Sequence, residues 1–248
     1  MLTQQNGTEQ RVGFQVIPAV DLLGEAAVRL ERGEFDRVVA RDADPVALVE
    51  RLVGAGATLV HVVDLDGARS GRTRPDLVRR LVQAAAPARI QASGGVRSIS
   101  DAEELLAAGA FRVVVGTAAF SGPRALEEYR NALDDRLVVA VDVRKGRVVT
   151  AGWTEATEIS ADEAAERSAA AGVSRLLCTA VDRDGTLGGP DLDLLATVRE
   201  RSGLPVLAAG GIRTRKDLDA VERLGCEAAV VGRALLDERL PLSILQRP

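Results

Sequence analysis

A closed (β/α)8 barrel made of two duplicated (β/α)4 half-barrels is the fold class that this sequence predicts. Three observations lead there: eight short apolar runs alternate with helical patterns, the chain repeats itself at about half its length, and 248 residues suit one such domain. The apolar runs lie at 16–20, 59–63, 90–92, 113–115, 137–141, 176–179, 206–208 and 229–231. They are nearly unbroken in Val, Leu, Ile and Ala, as parallel strands covered on both faces require. Apolar residues make up 46% of the chain and aromatics only 2%, so the core must be aliphatic. Branched aliphatic side chains are what fills the interior of a TIM barrel.

Between the runs stand helix signals. Pro45, Pro75, Pro123 and Pro190 suit first-turn positions, where a missing N–H costs nothing. Ser100 with Glu103, and Ser160 with Glu163, have capping-box spacing, and Leu218, Val221 and Leu224 share one face of a late helix. Alternation alone fits an open doubly wound sheet as well as a barrel. The repeat decides between them. Gly94-Gly95-Val96-Arg97 returns as Gly210-Gly211-Ile212-Arg213, 116 residues later, and Gly56, Asp101, Gly109 and Gly116 return as Gly172, Asp217, Gly225 and Gly232. Asp64-Leu65-Asp66-Gly67 aligns with Asp182-Arg183-Asp184-Gly185 at 118, and Asp21 with Asp142 at 121. A period this long is a duplicated half-domain rather than a solenoid repeat.

Bulk properties exclude several functions. A net charge of −4 and a pI near 5.3 speak against a nucleic-acid or membrane-surface partner. Residues 1–13 form a polar tail without the apolar centre of a signal peptide, leaving 14–248 as one barrel domain in the cytoplasm. No run reaches the ~18 apolar residues of a membrane span. Cys178 and Cys226 lack CxxC spacing and read as buried thiols. A monomer is expected.

The chemistry is expected where the strands end. Ser93-Gly94-Gly95 and Gly210-Gly211 each follow a strand and precede a capped helix, so backbone N–H groups and a positive helix end face outward. Gly116-Thr117 and Gly232-Arg233 add a second donor loop beside each, predicting two phosphate cradles and a long ligand with a phosphate at each end. A carboxylate placed in either loop, as Gly95→Asp or Gly211→Asp, is expected to weaken binding with the fold intact. Asp21 and Asp142 close the first and fifth runs, Thr179 closes the sixth, and Asp184 follows it. Desolvation and a nearby phosphate both favour a neutral carboxyl, which suits proton transfer near neutral pH. The single histidine, His61, lies within a strand and reads as structural. Neither lysine, Lys145 or Lys216, ends a strand, and no His or Cys cluster has metal-ligand spacing. Acid–base chemistry by carboxylates, without metal or cofactor, remains.

These residues resemble the ProFAR isomerase family of histidine biosynthesis, from about Val16 to Leu236. The most specific pieces are Ile17-Pro18-Ala19-Val20-Asp21-Leu22, His61-Val62-Val63-Asp64-Leu65-Asp66-Gly67, Gly152-Trp153-Thr154-Glu155 and Asp182-Arg183-Asp184-Gly185-Thr186-Leu187 with Gly189-Pro190. The resemblance implies an Amadori rearrangement of a ribotide with two terminal phosphates. Asp21 would remove the ribose C2 proton, Asp142 would be the general acid, and Thr179 and Asp184 would line the site. Whether Asp142 or Asp184 protonates the ring oxygen stays open. Trp153 would cover a substrate ring and Arg29 would reach in from the first loop. The chain departs from the family in Ser93, where many relatives have a third glycine, and in Ala180, where they often carry an acid. The alternatives are a bifunctional isomerase also acting on phosphoribosyl anthranilate, the cyclase subunit of imidazole glycerol phosphate synthase, and a non-catalytic phosphosugar-binding barrel. Against the cyclase stand Ala19-Val20-Asp21 and Gly210-Gly211-Ile212-Arg213, where it usually has a Cys before Leu-Asp and Gly-Gly-Ala-Gly.

One substrate prediction follows from Ala151. Bifunctional relatives commonly place an Arg two residues before the loop Trp, where it pairs with the anthranilate carboxylate; here Ala151 precedes Gly152 and Trp153. A charge-assisted hydrogen bond is worth about 1.5–3 kcal/mol, so its absence lowers kcat/KM for that substrate by about 10–150-fold. Steady-state assays on both ribotides should show strong preference for ProFAR. Comparable kcat/KM values would refute this reading.

Overall fold

Parallel pairing carries the backbone around a closed ring. The computed structural model describes residues 13–31, 34–150 and 152–246. The ring strands are β1 (Gln15–Leu23), β2 (Leu59–Asp64), β3 (Arg89–Ser93), β4 (Arg112–Val115), β5 (Leu137–Arg144), β6 (Leu176–Ala180), β7 (Val206–Ala209) and β8 (Ala228–Val231). Each contains one of the predicted apolar runs. Each pairs in parallel with the next, and β8 pairs back onto β1, so the sheet closes. Helices α1 (Pro45–Gly54), α2 (Pro75–Ala85), α3 (Ile99–Ala107), α4 (Ala125–Leu133), α5 (Ala161–Ala170), α6 (Leu192–Ser202), α7 (Arg215–Arg223) and the single turn α8 (Arg233–Leu236) alternate with them.

The helix starts are partly where the sequence puts them. Pro45 and Pro75 open α1 and α2, whereas Pro123 and Pro190 stand just before the N-caps Arg124 and Asp191. The capping box of α3 is Ser98 with Asp101, not Ser100 with Glu103; a box needs its serine in extended backbone, and Ser100 is already in the first turn. Thr214 with Asp217 builds the same box on α7, so the repeat extends to cap chemistry. At α5, Ser160 accepts from the Glu163 N–H as its spacing predicts.

Two antiparallel hairpins, absent from the sequence reading, grow out of the same place in each half. β1 runs on beyond the ring and pairs with Ala26–Glu31, which pairs with Glu34–Asp42. β5 does likewise with Arg147–Thr150, which pairs with Glu155–Ser160. The loop expected after the fifth strand is therefore a hairpin.

Inside the ring, Ile17, Leu59, Val114, Val138, Ala140, Leu177, Leu207, Ala228 and Val230 form one aliphatic cluster. A larger one lies between sheet and helices. Cys178 and Cys226 are buried free thiols there, and burial pushes Cys226 up to about 11, which keeps it inert. On the near side of the ring a polar chain replaces the aliphatics. Arg112 Nε donates to Gln91 Oε1 at 2.6 Å, and the Gln91 amide nitrogen lies 2.8 Å from His61 Nδ1. A guanidinium only donates, so it fixes the Gln91 oxygen as acceptor, the Gln91 NH2 as donor, and His61 Nδ1 as the unprotonated nitrogen. Burial, helped by neighbouring Arg175, pulls the Arg112 guanidinium down to about 10, while Glu227 opposes the shift.

Gln91→Leu breaks this chain at its middle and removes the bonds that Gln91 makes to the buried Arg112 and His61. It should lower the unfolding free energy by about 2–4 kcal/mol, the cost of two lost buried hydrogen bonds, one of them to a charged group, in urea titration followed by circular dichroism. A change under about 0.5 kcal/mol would show that water replaces the amide.

Candidate active site

The predicted site residues come from strands on opposite sides of the ring, and closure brings them to one mouth. A cavity of about 200 Å³ opens at the carboxyl ends of the strands. Asp21 from β1 and Asp142 from β5 both line it, together with Thr179, Asp184, Trp153, Ser93, Gly94, Gly95, Gly116, Thr117 and Gly232. β1 and β5 are four strands apart in either direction around the ring, so their two carboxyls face each other across it. The side chain of Arg29 lies outside the described residues, as does Ala151.

Asp142 sits in the most specific surroundings. Trp153 Nε1 donates to its Oδ2 at 2.9 Å, and Thr179, its direct partner in the β5–β6 register, hydrogen-bonds the same carboxyl. Burial pushes the Asp142 carboxyl above the usual carboxylate range, while the bonds from Thr179 and Trp153 pull it partly back. A carboxyl that keeps its proton to higher pH and is held by two donors is suited to giving a proton away. Trp153 is held with equal care. It has φ +70° beside Gly152 at +66°, and Arg144 Nη1 donates to its carbonyl at 2.8 Å. A left-handed conformation costs a non-glycine residue roughly 1–2 kcal/mol, which the Asp142 and Arg144 bonds offset.

The two glycine loops match in backbone and differ in space. Gly94 and Gly95 have φ +103° and +82°, and Gly210 and Gly211 have +95° and +80°. A Cβ on Gly94 would stand 2.1 Å from the Asp64 carbonyl oxygen, and one on Gly211 2.2 Å from that of Gly189. Packing alone therefore demands these glycines. For Gly95→Asp the added Cβ would meet the Arg72 carbonyl at 2.7 Å, so neither carboxylate variant leaves the fold intact, and both would report on folding rather than binding. The first loop faces the main cavity. The second, Gly210, Gly211, Gly232 and Arg233 with Asp184 and Gly185, encloses only about 20 Å³, room for about one water. Arg233 spans it by donating to the Gly185 carbonyl at 2.6 Å and pairing with Asp237 at 2.9 Å.

His61, set aside from sequence as structural, is buried yet forms part of the cavity wall. It sits opposite Ala19 in register, on the inward side of β2, a placement that the sequence alone does not reveal. Arg97 and Thr150 also line the cavity without having been singled out. Among the described residues no group of three His, Cys, Asp or Glu side chains is placed to hold a metal.

The profile of histidine biosynthesis proteins matches residues 15–241 of this sequence. The chain belongs to that family. Several curated members are similar to it over nearly their whole length, and each is named 1-(5-phosphoribosyl)-5-((5-phosphoribosylamino)methylideneamino) imidazole-4-carboxamide isomerase. That of Synechococcus sp. (strain CC9311) is 42% identical over 92% of this chain and 91% of its own. Those of Roseiflexus sp. (strain RS-1) and Thermomicrobium roseum are 43% and 44% identical, over 93% and 91% of this chain and 97% and 93% of theirs. As in the family resemblance read from sequence, the match takes in both half-barrels.

Trp153 is the only tryptophan in the chain, so its emission reports on the Asp142 carboxyl it touches. The emission should titrate with a midpoint above the ~4 of an ordinary Asp. Asp142→Asn should abolish that transition. Thr179→Val, which removes a bond favouring the carboxylate, should move the midpoint further up. A downward move would show that Thr179 stabilises the protonated form instead.

Proposed function

We propose that this protein isomerises ProFAR by an Amadori rearrangement in histidine biosynthesis, with Asp21 and Asp142 as its proton-transferring pair. The observation that carries the reading is the placement of two carboxyls on opposite strands of one cavity, between two glycine loops. The names of the curated relatives support the same activity. In the substrate, an N-glycosidically linked aldose opens to an imine when its ring oxygen gains a proton. Loss of the C2 proton then gives an enolamine, which rearranges to the aminoketose. Asp21 takes the C2 proton. Asp142, whose buried carboxyl holds its own proton above the ordinary range, is the better-supported donor to the ring oxygen. Asp184 lies between the main cavity and the second glycine loop, a position suited to orienting the distal ribose.

The ligand is a small molecule with a phosphate at each end. One phosphate meets Ser93, Gly94, Gly95, Gly116 and Thr117. The other meets Gly210, Gly211, Gly232 and Arg233, in the notch of about 20 Å³ that they line with Asp184 and Gly185. With a net charge of −4, the protein holds a dianion by these local donors rather than by a general positive field. The protein acts as a cytoplasmic monomer without cofactor, and among the described residues no helix is long and apolar enough to cross a membrane.

Asp21→Asn and Asp142→Asn should each lower kcat by roughly 10²–10⁴, the share of one general acid or base, with substrate binding retained by calorimetry. Near-normal turnover of ProFAR by Asp21→Asn would sink the mechanism.

A further inference from the structure

The two hairpins that leave the carboxylate-bearing strands are gripped in the same way. Three residues after Asp21 the first turns at Gly24, whose φ is +62°; three residues after Asp142 the second turns at Lys145, whose φ is +50°. The Gly24 N–H donates to Asp66 Oδ2 at 2.6 Å, and the Lys145 N–H donates to Asp182 Oδ2 at 3.0 Å. Asp66 and Asp182 stand 116 residues apart, the offset that relates Gly94 to Gly210, so the structure equates Asp66 with Asp182 rather than with Asp184 as the 118-residue motif alignment has it. The duplication has therefore kept a carboxylate from the loop after one strand on the turn of the hairpin before it.

In the second half the grip reaches the reacting group. Asp182 Oδ1 lies 3.8 Å from Arg144 Nε, Arg144 donates to the Trp153 carbonyl at 2.8 Å, and the Trp153 indole donates to Asp142 at 2.9 Å. The chain of contacts runs from an exposed carboxylate, through a hairpin turn, to the carboxyl in the cavity. In the first half Arg74 doubles the grip, pairing with Asp64 at 2.5 Å and Asp66 at 3.2 Å and donating to the Gly24 carbonyl at 2.8 Å. Such an outlay of contacts at a turn that touches no cavity calls for a purpose beyond closing the turn.

We infer that Asp66 and Asp182 are positioning residues, each fixing the hairpin that frames a proton-transferring carboxylate, and that Asp182 with Arg144 sets the Trp153 indole on Asp142. The inference rests on the reading of Asp142 as a proton donor. It differs from that reading in naming residues that touch no substrate. The consequence is testable at Asp182, whose half contains the one tryptophan.

The test uses the purified full-length chain and its one tryptophan. Asp182→Ala, Asp182→Asn and Arg144→Met are compared with the unaltered protein by acrylamide quenching of Trp153 emission and by steady-state kinetics on ProFAR, with circular dichroism confirming the fold. Asp182→Ala should expose the indole to quencher and lower kcat about tenfold, since small misplacement of an oriented group is costly, with KM within about threefold. Asp182→Asn, whose amide oxygen still accepts from the Lys145 N–H, should restore both. Arg144→Met should reproduce the alanine variant, because it releases Trp153 with the turn intact. Quenching or kcat unchanged in Asp182→Ala and Arg144→Met would overturn the inference, as would an asparagine variant as impaired as alanine. If the unaltered protein fails to turn over ProFAR, the proposed function falls, and the quenching arm alone then upholds or overturns the grip.

Discussion

Everything at the mouth depends on the pairing of β5 with β6. Leu176–Ala180 lies against residues 139–143 in parallel register, and the ring is closed only with that ladder in place. Closure removes the last open edges of the ring and fixes which residues meet. The same register that aligns Leu176 with Val139 sets Thr179 beside Asp142. A slip of one residue would turn Asp142 outward among the helices, because successive side chains alternate faces. The position of the Asp142 carboxyl is thus a consequence of how the barrel shuts.

Around that position the protein trades symmetry for chemistry. The glycine loops, the caps of α3 and α7 and the hairpin grips are all duplicated, and each is explained by backbone geometry common to both halves. Differences appear where a ligand would be touched. Asp184 contributes a third carboxyl to the cavity, and Ala68, 116 residues earlier, lines it with a methyl group. Thr117 and Arg233 occupy matching places with unlike donors. Trp153 is the one tryptophan of the sequence, so its indole has no counterpart in the first half. A duplicated scaffold with unlike contacts suits a ligand whose two ends are alike but whose middle is not.

Much of this was legible beforehand. All eight ring strands contain their predicted runs, because a strand buried on both faces must be apolar nearly throughout. The hairpins were not legible: EATEIS, the sequence of Glu155–Ser160, is polar and half exposed, and only pairing with a neighbour makes it a strand. The α3 cap was misplaced by two residues because Ser98 and Ser100 each have an acid three residues on, and spacing alone does not reveal which serine is extended. His61 was read as structural because a lone histidine in an apolar run gives no sign of which face it occupies.

By itself the sequence determined the fold class, the duplication and the carboxylates and glycine loops that line the mouth, but not His61, Arg97 or Thr150 beside them. Periodicity, glycine placement and repeat offsets are local or pairwise properties that survive in a linear string. Only the tertiary structure decided that Asp142 is the carboxyl held above its ordinary range, that the second glycine loop is a narrow notch, and that Trp153 is pinned between Asp142 and Arg144. Desolvation, free volume and hydrogen-bond partners are sums over neighbours brought from distant parts of the chain. They exist only once the ring is closed.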